Sequence, residues 1–282
     1  NRIDRLILRG AENRARAWET RMAGELKGRV AIVTGGGGGF GRAIAARFAA
    51  EGAAVTVTSR TLAQLDETVA AIRTNGGRAL AVAGDATNRA DVARVVAETE
   101  KAFGPVTILV NNAGVPGPFG PIGVMDPDEW WAAQAVHLRA PVLFVSAVLP
   151  GMKERRAGCI LTICSPRAKM ATPYLSSYCI GKTAQVRLTE LLAAENKEYG
   201  ITAVAVDPGS TPTQLADKTI DSPDAQRWVP EMVAKLREMR GQPGGEVVLE
   251  NCAHRCVEIA AGRHDDWNGT YIGRNNTADP WR

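Results

Sequence analysis

Two rhythms of apolar residues alternate along this chain. The runs VAIVT (30–34), AVTVTS (54–59), ALAVAG (79–84), TILVNN (107–112), CILTIC (159–164) and TAVAVD (202–207) are short and mostly aliphatic or β-branched. Between them lie the stretches 40–51, 61–75, 89–103, 126–154 and 176–199, which read as helices; Ile44, Phe48 and Ala49 mark the apolar side of the first. Near-continuous apolar strands interleaved with helices predict a parallel sheet covered on both faces, an α/β/α sandwich of three layers. Right-handed crossovers make that sheet doubly wound and put its ligands at the carboxyl ends of the strands.

Residues 1–26 follow a different pattern. Ile3, Ile7, Ala11, Ala15, Trp18 and Met22 recur every three or four positions, which predicts an amphipathic helical arm with an arginine-rich outer face. The arm has no apolar core of the secretory kind, and its acidic residues argue against a transit peptide. Residues 27–282 read as a single domain, with no internal repeat or linker.

Composition narrows the possibilities. A net charge of +4 without a run of one sign excludes electrostatic recognition of nucleic acid. No stretch approaches the length of unbroken apolar sequence that spans a bilayer. Five cysteines (159, 164, 179, 252 and 256) without framework spacing read as reduced thiols, which predicts a cytoplasmic protein. Cys252, His254 and Cys256 lack the second ligand pair of a closed zinc site, so no metal is expected.

The chemistry begins after the first strand, where Thr34 leads into GGGGGFGR and then a helix. Glycine lets the backbone turn tightly against a pyrophosphate, and the helix start offers free N–H groups and partial positive charge. Gly35, Gly38, Gly39, Phe40 and Gly41 are therefore the candidate phosphate cradle of a Rossmann-type fold. An acid at the tip of the second strand would bind an adenosine ribose and repel a 2′-phosphate. The chain has Ser59 and Arg60 there, so NADP(H) is favoured and NAD(H) remains possible. Further on, Tyr178 and Lys182 stand four residues apart, on one face of a helix.

Taken in order, Thr34-Gly35-x-x-x-Gly39-x-Gly41, Asp85, NNAG (111–114), Ser165, Tyr178-x-x-x-Lys182 and PGSTPT (208–213) resemble the single-domain short-chain dehydrogenase/reductases over about residues 26–273. The resemblance implies that Asp85, with Ala86, holds the adenine edge and Asn112 the ribose region. Ser210 and Thr213 would meet the nicotinamide carboxamide. It also implies an oxidoreductase interconverting a secondary alcohol and a ketone. Tyr178 would be the general acid/base, Lys182 the group that lowers its pKa and grips the ribose, and Ser165 the donor to the substrate oxygen. A free phenol ionises near 10, so reaching 7 or 8 asks for about 3–4 kcal/mol of differential stabilisation.

The chain departs from the family at His137, where the resemblance implies an asparagine that supports a water chain relaying protons to the lysine. Histidine donates and accepts hydrogen bonds and ordinarily titrates near neutrality. His137 is therefore a candidate to replace that relay, to change its pH profile or to leave it impaired, the alternative being a tolerated core histidine. The chain departs again in the tail RNNTADPWR (274–282). A substrate lid is expected at about 211–245, with Trp228, Met232, Leu236 and Met239 at helical spacing. With Pro116, Phe119, Met170 and Tyr174 they suggest an apolar pocket for an aromatic or alicyclic substrate. The resemblance implies a homodimer or homotetramer built on helices 126–154 and 176–199. Two other readings share these motifs: a nucleotide-binding regulator without turnover, and an epimerase or dehydratase of related fold.

Overall fold

The computed structural model describes residues 24–240, 242–275 and 278–279. The arm expected at 1–26 lies outside the described residues as far as residue 23. Leu26 is buried, and its N–H donates to the Glu51 carbonyl at 2.9 Å.

Each apolar run is a strand: β1 (Val30–Thr34), β2 (Ala54–Ser59), β3 (Arg78–Ala83), β4 (Ile108–Asn111), β5 (Gly158–Ile163) and β6 (Ile201–Val206). β7 (Tyr271–Ile272) continues the parallel sheet, and β8 (Ala278–Asp279) pairs with it antiparallel, Asp279 opposite Tyr271. The order is β3-β2-β1-β4-β5-β6-β7-β8. Connectivity therefore reverses between β1 and β4, where such sheets open a crevice.

Helices α1 (Gly39–Ala50), α2 (Leu62–Thr74) and α3 (Arg89–Phe103) follow the first three strands. Then come α4 (Pro127–Gln134), α5 (Ala140–Arg155), α6 (Ser176–Asn196), α7 (Gln214–Asp221), α8 (Pro223–Trp228), α9 (Pro230–Arg240) and α10 (Gly245–Ala260). Strand side chains alternate between two cores, as the pleat requires. Ala31, Val33, Val110 and Leu161 pack with Ile44 and Phe48 of α1 and Val257 of α10. Ile32, Leu109 and Ile160 point the other way, onto Val95 of α3 and Phe144 and Met152 of α5. Because both faces are covered, every strand position can be apolar, and each large side chain so buried contributes about 1.5–3 kcal/mol.

The stretch 126–154 does not form one continuous α-helix. A π-helical segment, Ala135–Arg139, separates α4 from α5, and the Ala140 N–H reaches back five residues to the Ala135 carbonyl. Pro141 explains the defect. It has no N–H to give the His137 carbonyl, which in an α-helix would take the donor of residue 141. The run Pro127–Arg155 is long and apolar enough to cross a bilayer by length and composition, but half of its most apolar window is buried within the protein. Its apolar face belongs to the core.

Candidate active site

The site grows from the carboxyl ends of β1, β4 and β5. Thr34, the last residue of β1, ties the first two together. Its hydroxyl donates to the Val110 carbonyl at 3.2 Å and accepts the N–H groups of Asn112 and Ala113 at 2.9 and 3.0 Å. Asn112 Nδ2 donates to the carbonyls of Thr34 at 2.8 Å and Gly35 at 3.3 Å, so this side chain braces the glycine turn. Two glycines there are obligatory. Gly35 adopts φ +66°, and a Cβ on Gly41 would overlap the Gly35 carbonyl oxygen and sit 2.5 Å from Asn112 Nδ2. Arg42 reinforces the turn by donating to the Gly37 carbonyl at 2.7 Å.

The start of α1 suits an anion. Its N-cap, Gly38, supplies no side-chain cap, and its first turn contains no acid, so the helix end keeps donors and positive potential for a ligand. Phe40 packs partly against the core, holding the turn to the sheet. Ser59 ends β2 beside the turn, with its hydroxyl 3.5 Å from where a Gly37 Cβ would be. Arg60 is exposed and makes no hydrogen bond or ion pair among the described residues. Asp85 shapes the loop after β3: one carboxylate oxygen accepts both the N–H and the hydroxyl of Thr87, each at 2.8 Å, and Ala86 lies half-buried between them. Ser210 is exposed on the loop after β6, while Thr213 stands at the N-cap position of α7 without a side-chain capping bond and packs over Gly39. Gln214, not singled out from the sequence, covers Gly38 in the same way. These residues fit a dinucleotide.

Ser165 follows β5, its hydroxyl accepting the Arg167 N–H at 3.2 Å, and its nearness acts to lower the pKa of Tyr178, from the first turns of α6. Tyr178 keeps some exposure, yet its phenol is set deep enough for burial to push its pKa up to about 12, against the lowering influence of the Ser165 hydroxyl and the Arg167 charge. Lys182 is buried, and burial lowers its pKa. Its Nζ lies 5.8 Å from the Tyr178 ring centroid and donates to the Ile163 carbonyl at 2.8 Å and Gln185 Oε1 at 3.0 Å. The chain's own groups therefore do not bring the phenol to 7 or 8. They keep it protonated at neutral pH, in the form that donates. Cys164, pushed up to about 11 by burial, is an inert packing thiol beside them.

His137 sits in the π segment with its ring edge-on to Tyr178, centroids 5.5 Å apart. Burial first, and the Lys182 charge second, push its pKa down to about 3. It is neutral at physiological pH, with Nε2 3.0 Å from the Val115 carbonyl, a pairing that makes Nε2 the protonated nitrogen. The expected titration near neutrality gives way to burial. An unfolded chain protonates this histidine near 6.5, whereas the native state resists until about 3, so stability falls as pH drops through that window. His137→Asn should flatten this part of the dependence, measured by urea unfolding at a series of pH values.

Beyond the phenol, Tyr174 holds φ +67°, unusual for a bulky residue, and its ring lies 5.3 Å from Trp228 at the end of α8. A Cβ on Gly120 would come within 3.3 Å of Trp228 Nε1, so the glycine gives the indole room. Phe119, Leu175, Ala225 and Val233 form a small core beneath, with Met232 packed against it. Among the described residues no cluster of side chains could hold a metal ion.

A glycine turn at a sheet crevice with an adjoining Ser–Tyr–Lys set defines a nicotinamide-dinucleotide oxidoreductase. The short chain dehydrogenase family model matches residues 29–224, and the chain belongs to the short-chain dehydrogenase/reductase family. A short chain dehydrogenase of Pseudocercospora fijiensis is 35% identical over 85% of this chain and 77% of its own length. A metagenomic short-chain oxidoreductase in complex with NADP superposes with TM-score 0.68 at 28% identity, covering 84% of this chain and 92% of its own. The 3-ketoacyl-(acyl-carrier-protein) reductase of Brucella melitensis, complexed with NADH, gives TM-score 0.74 at 28% identity over 88% and 97%.

Proposed function

We propose that this chain is an NADP(H)-preferring oxidoreductase of the CH–OH class that interconverts a secondary alcohol and a ketone. The observation that carries the reading is Lys182 one turn after Tyr178 on the same helix, its Nζ 5.8 Å from the phenol ring centroid, with Ser165 at the end of β5 acting on that phenol. A nicotinamide cofactor held by these residues would supply the hydride acceptor or donor and, in its oxidised form, a positive charge. The chain's residues handle the proton. In reduction, the Tyr178 hydroxyl donates to the ketone oxygen as negative charge grows there, and Ser165 supplies a second hydrogen bond to that oxygen. In oxidation Tyr178 takes the proton, and the Lys182 ammonium favours the phenolate.

On this reading Gly35, Gly38, Gly39, Phe40 and Gly41 line the diphosphate, and Asp85 with Ala86 meets the adenine. Asn112, Lys182, Ser210 and Thr213 hold the nicotinamide half. Residues 211–245 act as the lid, and the Tyr174–Trp228 pair favours a flat apolar or alicyclic substrate. Exposed Trp131, Val142, Ile180 and Leu191 on α4, α5 and α6 support pairing of subunits through those helices. The test is a panel of ketones with NADPH and NADH, following nucleotide absorbance. Turnover of a ketone supports the reading, and nucleotide binding without turnover of any carbonyl or alcohol overturns it.

Ser59 and the unpaired Arg60 guanidinium support the choice of NADP(H). A charge-assisted hydrogen bond to phosphate is worth about 1.5–3 kcal/mol. Arg60→Ala should therefore weaken NADPH binding roughly 10- to 100-fold and leave NADH unchanged, by calorimetric titration. Equal losses for both nucleotides would remove Arg60 from 2′-phosphate recognition.

A further inference from the structure

Gln185 lies on α6 three residues after Lys182 and is 1% exposed. Its amide is engaged at both ends. Oε1 accepts from Lys182 Nζ at 3.0 Å, and Nε2 donates to the His137 carbonyl at 2.7 Å. That carbonyl is the one Pro141 cannot serve, in the π segment between α4 and α5. A defect in one helix is thus joined, through one buried side chain, to an ammonium on another. Thr189, one turn further along α6, donates to the Gln185 carbonyl at 2.9 Å and steadies its backbone.

We propose that Gln185 is a positioning residue for the active-site lysine: it fixes Lys182 Nζ against the His137 backbone and keeps it protonated in a buried setting. Hydrogen bonding to the charged form of a group favours that form. Lys182 has two neutral acceptors, the Ile163 carbonyl and Gln185 Oε1, and no carboxylate among its hydrogen-bond partners. The titratable groups facing it are Tyr178 on its own helix, Cys164 at the end of β5 and His137 on the π segment. The first two are neutral at pH 7 because burial raises their pKa values, and His137 is neutral because burial lowers its own. The amide oxygen is therefore one of the two hydrogen-bond acceptors that offset the desolvation of this ammonium. Removing it shifts Lys182 towards the neutral amine and frees Nζ to leave its place.

The expectation that activity follows rests on the proposed function, so the primary test needs no turnover. The lysine ammonium signals of ¹⁵N-lysine-labelled protein are titrated by NMR, with the Lys182 signal assigned by its loss in Lys182→Met. Gln185→Leu should raise the acid dissociation constant of Lys182 roughly tenfold or more. Thr189→Val, which removes a buried hydroxyl from the same helix without touching Lys182, should leave that constant unchanged even if both variants melt earlier. If a ketone substrate is in hand, the alkaline limb of kcat/KM should move to lower pH in Gln185→Leu alone. An unchanged Lys182 titration in folded Gln185→Leu overturns the proposal, as does an equal change in Thr189→Val. Neither result depends on whether the protein reduces ketones.

Discussion

Tyr178→Phe should lower kcat for carbonyl reduction roughly 10²–10⁴-fold while leaving nucleotide affinity within a few-fold of the parent. The substitution removes one oxygen and keeps the ring, which is held edge-on against His137. On the proposed function the lost group is the proton donor, and the neighbouring Ser165 cannot replace it because an aliphatic hydroxyl is a far weaker acid. The parent phenol, pushed up to about 12, is protonated throughout the neutral range, so the defect should be nearly constant from pH 6 to 8. Steady-state rates for the parent and variant on one ketone check this. Comparable turnover by the two would end Tyr178's assignment as the general acid.

Gly41→Ala should weaken nucleotide binding roughly 100-fold and cost about 1–3 kcal/mol of stability. The new methyl would overlap the Gly35 carbonyl oxygen and press on Asn112 Nδ2. Neither can yield cheaply, since Asn112 is bonded to the carbonyls of Thr34 and Gly35 and Gly35 already adopts a left-handed conformation. The turn has to open, and with it the N-terminus of α1 moves from the place proposed for the diphosphate. Gly76→Ala is the control. It is also at positive φ, but a Cβ there has open space, so some stability should be lost and nucleotide affinity retained. Calorimetric titration and urea unfolding of the two variants separate the effects, and unimpaired binding by Gly41→Ala would show that the turn does not need its present geometry.

Much of the scaffold is legible in the sequence. The six apolar runs and the helix at 89–103 agree with the structure almost to the residue, because a strand buried on both faces and an amphipathic helix each leave a local signature. The antiparallel β8 leaves no such signature, because it is two residues long in a polar tail and too short to show a period. The break in the helix at 126–154 was half-visible: Pro141 was in the sequence, but a proline in a helix can produce several distortions.

The site divides in the same way. Spacing alone was enough to put Tyr178 and Lys182 on one face and the glycines at a strand end, because both follow from local backbone geometry. What each group does with its proton was decided by packing. Sequence gave Lys182 and Tyr178 as a pair, but folding turned the ammonium to the Ile163 carbonyl and Gln185, 5.8 Å from the ring. It also buried His137 until its ordinary titration was lost. Desolvation and hydrogen-bond partners come from residues far apart in the chain, so no reading of local pattern could supply them.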